Sequence, residues 1–212
     1  MELQLPPRLA VGSHRRDSGK ACLENLMSWI NGDETITDLP RCTDRALAIL
    51  LQWTNDQLCT HLEGDLICVR CTALLLPLGF AASGTAYHDM DPRRVHVRIA
   101  AKFALPPTGL PENREVYERI RTAALEWAEN PTPERALQVA PQMFEYTPSV
   151  ALRLVNAVHL PYEAAAVDIG MLHAQYVNAV TDRLERVRRA QEIIDEFKSL
   201  TGTVSRLMGV TA

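Results

Sequence analysis

The residues able to do chemistry crowd the start of the chain, in Gly12–Asn25 (GSHRRDSGKACLEN) and in Thr37–Cys42 (TDLPRC). His14, Cys22, Glu24, Asp38 and Cys42 there supply an imidazole, thiols and carboxylates. Three chemistries use such a set. For phosphate binding, a Walker A loop needs Gly-x4-Gly-Lys-Ser/Thr, because backbone amides wrap the phosphates while the hydroxyl holds magnesium. Six residues separate Gly12 from Gly19, and Ala21 stands where the hydroxyl belongs, which excludes a P-loop. A simpler anion site remains, with Arg15, Arg16 and Lys20 clustered at a helix N-terminus where unpaired amides and the macrodipole favour negative charge. Its plain alternative is internal pairing of these cations with the acidic segment that holds Asp33, Glu34, Asp38 and Asp44.

Thiol catalysis is the second chemistry. Cys22 falls in the first turn of a helix, where the dipole lowers a thiol pKa; His14 would be its base, with Glu24 or Asp38 orienting the imidazole. The competing reading is a small buried thiol packed beside Leu26. Metal binding is the third: His14, Cys22, Asp38 and Cys42 make a four-ligand set for which zinc is the natural ion. Cys68-Val69-Arg70-Cys71 has the spacing of a zinc knuckle. It lies in an apolar run without turn residues, no second pair follows it, and core packing is the reading preferred there. A thioredoxin-like role would need a βαβ context that is absent.

Weaker features are Cys59-x-His61, a spacing of little specificity by itself, and His88 and His96, which flank Asp89-Met90-Asp91-Pro92-Arg93-Arg94. Asp182–Lys198 carries five positive and five negative side chains, the pattern of a solvated amphipathic helix rather than a nucleic-acid arm.

The elements that position these groups read as helices. Leu23, Leu26, Met27 and Ile30 fall on one face, with Glu24, Ser28 and Asn31 opposite and Asn31-Gly32 as a stop. Thr43 is read as the cap of a second helix and Asp65 as the cap of a third that ends near Pro77. Asp91-Pro92 opens a fourth, through about Phe103, in preference to a strand over Arg94–Ala100. Further helices follow over Glu115–Asn130, from Thr132 and after Pro148, and a single long one is expected from about Pro161 to Leu200. The fold class is therefore all-α, a multi-helix bundle. Pro106–Asn113, PPTGLPEN, suggests an N-terminal helical subdomain over residues 1–105 and a C-terminal one over 112–212, together forming one compact unit.

With 212 residues, 47% of them hydrophobic, the chain can bury a core without staples. A formal charge of −4 argues against wholesale nucleic-acid binding. Arg70, Pro77 and Gly79 interrupt the longest apolar run, which argues against a membrane span. Without a basic, apolar leader the expected compartment is the cytoplasm, where the five cysteines would be thiols or metal ligands.

Gly12, His14, Gly19, Cys22, Glu24, Asp38, Pro40, Cys42, Asn55 and Asp56 together resemble a motif of small actinobacterial and actinophage proteins: Gly-x-His, a Gly-x-x-Cys helix start with its Glu, Asp-x-Pro-x-Cys, then Asn-Asp. The resemblance spans Leu9–Asp56, and Leu23 departs from a Met common before the Glu. It implies a phage-type origin, and no established activity comes with it.

The expectation is a non-catalytic or accessory binding protein whose polar N-terminal site takes a small anionic ligand, a metal or a protein partner. The alternative is a Cys/His-dependent enzyme with Cys22 as nucleophile and His14 as base. The amphipathic stretch 161–200 either packs in its own bundle or pairs with a second copy.

Overall fold

The computed structural model describes residues 8–14, 18–104, 114–144 and 148–203. Among them the chain is all-α: nine α-helices, no strand, and only isolated bridges, Ala10 with Leu66 and Glu63 with Leu66. The helices are α1 (Leu23–Ile30), α2 (Arg45–Leu58), α3 (Val69–Ala82), α4 (Pro92–Ile99), α5 (Arg114–Glu129), α6 (Pro133–Phe144), α7 (Pro148–His159), α8 (Tyr162–Asn178) and α9 (Arg183–Thr201). Ala100–Ala104 continues α4 as a π-helical turn. Arg94–Ala100 is helical because Asp91 accepts the Arg93 amide and Pro92 presets the first turn.

Several boundaries differ from the sequence reading, each for a local reason. Asp44, not Thr43, caps α2, accepting from the Ala46 and Leu47 amides at 3.0 and 3.1 Å. Asp65 caps nothing; Cys68 holds the N-cap position of α3. Pro77 lies inside α3 instead of ending it. A mid-helix proline costs about 3 kcal/mol, and packing offsets it: Leu75 and Leu78 are buried, and Gly79 lets the helix close on Leu23 and Met27 of α1. The single helix expected over Pro161–Leu200 is two, α8 and α9. Asp182 accepts the Glu185 amide at 2.8 Å and starts α9 afresh, and Leu184 beside it is exposed.

The helices enclose two buried apolar clusters. One joins α1, α2 and α3 to Val95, Ile99 and the inner faces of α8 and α9, including Val177, Ile193 and Phe197. The other gathers α5, α6, α7 and the first part of α8 around Val97, Ala100 and Ala101. Both clusters therefore take residues from either side of the 105–113 connector. The hinge of this arrangement is α8 on α2: a Cβ at Gly170 would lie 2.7 Å from Ile49 Cβ and 2.8 Å from the Ala46 carbonyl oxygen, so only glycine allows the approach. No helix among the described residues is long and apolar enough to cross a membrane.

Candidate functional site: a polar layer, a buried relay and a three-thiol centre

The N-terminal segment is laced across three elements. Leu9–Val11 runs extended, with the Ala10 amide bonded to Ala21 O, the Val11 amide to Asp65 O, and the Ile67 amide to Leu9 O. Asp56 accepts the Gly12 amide at 2.9 Å, and Asn55 bridges Ala10 O and the Leu23 amide. Asn55 and Asp56 therefore clamp the incoming chain onto α1 and α2.

The polar side of α1 is covered. Glu24 and Ser28, on the polar side of the helix opposite its apolar stripe, are fully buried beneath the segment 33–42. Ser28 donates to Asp33 at 2.8 Å and Asn25 to Asp38 at 2.7 Å, and Asn25 also accepts the His14 amide at 2.9 Å. TDLPRC is thus docked on α1 through two aspartates. Lacing by backbone amides and short side chains satisfies groups that would otherwise be buried without partners.

This layer does not assemble the expected thiol dyad. The Cys22 sulfur accepts the Asn25 amide as a helix cap and approaches Asp38 at 3.6 Å, while the His14 ring is bonded to Val11 O at 3.0 Å. Burial pushes the Cys22 thiol far up, outweighing the helix-end amide that favours thiolate. The expected metal set fares no better: His14, Cys22, Asp38 and Cys42 supply no three ligand atoms within 4.8 Å of one another. Cys42 is buried beside Thr43, its thiol likewise raised by burial. Glu24 is the layer's anomaly. Both its carboxyl oxygens are buried without a hydrogen-bond partner among the described residues, and burial, reinforced by Asp38, raises its pKa well above the usual carboxylate range.

Of the expected anion site, Arg15 and Arg16 lie outside the described residues. Lys20 pairs with Asp65 at 2.6 Å, instead of with the acidic segment 33–44. That segment's carboxylates serve the fold: Asp33 and Asp38 hold α1, and Asp44 faces inward.

Asp44 anchors a relay that the sequence reading missed. Its carboxylate meets His96 Nε2 at 2.8 Å and receives the Tyr162 hydroxyl at 2.7 Å; His96 Nδ1 lies 3.1 Å from His173 Nε2. The three partners come from α4 and α8, so no local motif announces them. Burial holds His173 neutral, and His96 holds Asp44 ionised with a pKa below the usual range despite the desolvation that opposes it. A cleft of about 420 Å³ lies against the outer side, lined by Arg41, Asp44, Arg45, His88, Tyr162 and Glu163. Arg45 and Glu163 of its lining pair at 2.6 Å.

The described residues bring together one cluster that could hold a metal ion: Cys59, Cys68 and Cys71, whose sulfurs all lie within 4.8 Å of one another. Cys59 ends α2, Cys68 opens α3 and Cys71 follows in its first turn. Between them Glu63 and Leu66 exchange backbone hydrogen bonds around Gly64, whose φ of +64° is one that side-chain-bearing residues avoid. This tight turn precedes Cys68-x2-Cys71, which itself opens the apolar helix α3 as expected. Cys59 donates to His61 O at 3.3 Å and accepts the Cys68 amide at 3.5 Å. Arg183 of α9 donates to Cys71 Sγ at 3.5 Å. The Cys68 thiol is lowered by the Cys71 amide, whereas burial raises that of Cys71 to about 11. A tetrahedral ion with bonds of about 2.3 Å spaces its sulfurs about 3.8 Å apart, so closure requires each pair to approach by about 1 Å at most.

No known protein family, curated protein or solved structure matches the chain.

Proposed function

We propose that this chain is a metal-binding accessory protein, holding zinc on Cys59, Cys68 and Cys71. The observation that carries this reading is the mutual approach of three free thiols to within 4.8 Å. Thiolates are soft donors that select zinc over magnesium or calcium, and zinc imposes no geometry beyond what the protein offers. The site joins the end of α2 to the start of α3. Metal affinity there adds to folding stability, by about 4 kcal/mol at a free concentration a thousandfold above the dissociation constant. The burial of Cys22 and the engagement of His14 with Val11 weigh against the alternative enzyme, because the nucleophile would have neither a thiolate nor a base.

Cobalt(II) titration tests the reading. The chain should develop a near-ultraviolet thiolate-to-cobalt band that saturates at one ion per chain and is abolished by zinc. Serine at Cys59, Cys68 or Cys71 should weaken it, while the double change Cys22→Ser with Cys42→Ser should leave it intact. A band absent from the parent protein, or dependent on Cys22 and Cys42, contradicts the proposal.

A further inference from the structure

Three thiolates leave a tetrahedral zinc one ligand short. The candidates lie in the same turn. Glu63 is paired with Arg8 at 2.5 Å and Asp65 with Lys20 at 2.6 Å, so both carboxylates are engaged. His61 is exposed, and its ring makes no hydrogen bond among the described residues. Its backbone is already beside the site, with His61 O 3.3 Å from Cys59 Sγ. Its ring nitrogens lie outside the sulfur cluster, so the side chain must move to bring one inward.

We infer that His61 is the fourth ligand, closing Cys59-x-His61 and Cys68-x2-Cys71 into a Cys3His zinc centre. The inference rests on the metal-binding reading above. Imidazole and thiolate together are the donor set of closed, structural zinc sites. Three thiolates around a divalent ion leave one excess negative charge, and Arg183 stands 3.5 Å from Cys71 Sγ to balance it as an outer-shell donor. Both arms of the turn then contribute two ligands each, and the Leu62–Ile67 segment becomes a loop clamped at its base. A site closed in this way holds the fold; it has no position left for a substrate.

X-ray absorption at the zinc edge, on the zinc-loaded full chain and its His61→Ala variant, tests this. The parent spectrum should show three sulfur neighbours and one nitrogen with the outer scattering of an imidazole ring. His61→Ala should keep the sulfurs, lose the imidazole signature for a light oxygen scatterer, and bind zinc at least about 10–100-fold more weakly in chelator competition, the range that even an outer-shell loss produces. His61→Cys should restore tight binding with a fourth sulfur. Three sulfurs without imidazole in the parent, or an imidazole signature that survives in His61→Ala, overturns the inference and leaves the three-thiol reading standing. Absence of any sulfur shell in the parent overturns both.

Discussion

At the residue scale, environment decides what each thiol and carboxyl can do. Cys22 has the helix-end position that lowers a thiol pKa, yet burial wins; Cys68 has the same position with access to solvent, and there the amide wins. Limiting iodoacetamide should therefore label Cys68 well ahead of Cys22 and Cys42 in metal-free protein, and zinc should suppress that labelling. Preferential alkylation of Cys22 would restore the nucleophile reading. Arg183→Ala should weaken zinc binding by about 10–100-fold without changing the sulfur count. Glu24 makes a prediction of its own. Its folded pKa lies above the unfolded value of about 4.3, so above that pH the unfolded state has released a proton that the folded state keeps, and stability falls as pH rises. Glu24→Gln should melt above the parent at about pH 7 and lose that advantage toward about pH 4. A lower melting point at neutral pH would mean that Glu24 is an ionised, partnered carboxylate.

At the scale of elements, the helices were legible wherever their signals were local. The stripe of α1, its Asn31-Gly32 stop and the Asp91-Pro92 start of α4 are all formed as read. Reading failed where a distant partner decided. Asp44 could be seen as an acidic residue beside Thr43, but its role is set by His96 and Tyr162, many residues away on α4 and α8. The break between α8 and α9 did have a local signal, Asp182 with Glu185 three residues on, overridden in the sequence reading by a periodicity that ran through it. Likewise Cys59-x-His61 was set aside as a spacing of little specificity, while a second pair for Cys68-x2-Cys71 was sought after Cys71 and not before Cys68. Asp44→Asn removes the buried carboxylate that His96 and Tyr162 share and should cost roughly 1–3 kcal/mol in urea unfolding at neutral pH. Because the folded Asp44 pKa is depressed, its contribution is present above about pH 4 and vanishes as pH falls through the folded value; variant and parent should converge in acid. Gly170→Ala forces a Cβ against Ile49 and the Ala46 carbonyl and should cost about 1–3 kcal/mol.

Over the whole molecule, the polar residues of the N-terminal motif act chiefly as fasteners. Asn55 and Asp56 hold the entering chain, Asn25 and Asp38 hold TDLPRC, and the extended Leu9–Val11 segment binds the far side of the Glu63–Leu66 turn. That lacing fixes the turn between α2 and α3, and so places the three sulfurs. The sequence motif and the three-thiol cluster are therefore neighbours in space. His173, buried and neutral, adds an acid limit to the whole: below about pH 6.5 the unfolded chain gains a proton there that the folded one refuses, so stability declines with falling pH. The zinc content of the full chain, equilibrated with zinc and dialysed into metal-free buffer, tests the central claim most directly. The account predicts one zinc per chain in the parent and none when Cys59, Cys68 and Cys71 are all changed to serine; a zinc-free parent, or a triple variant that keeps its zinc, contradicts it.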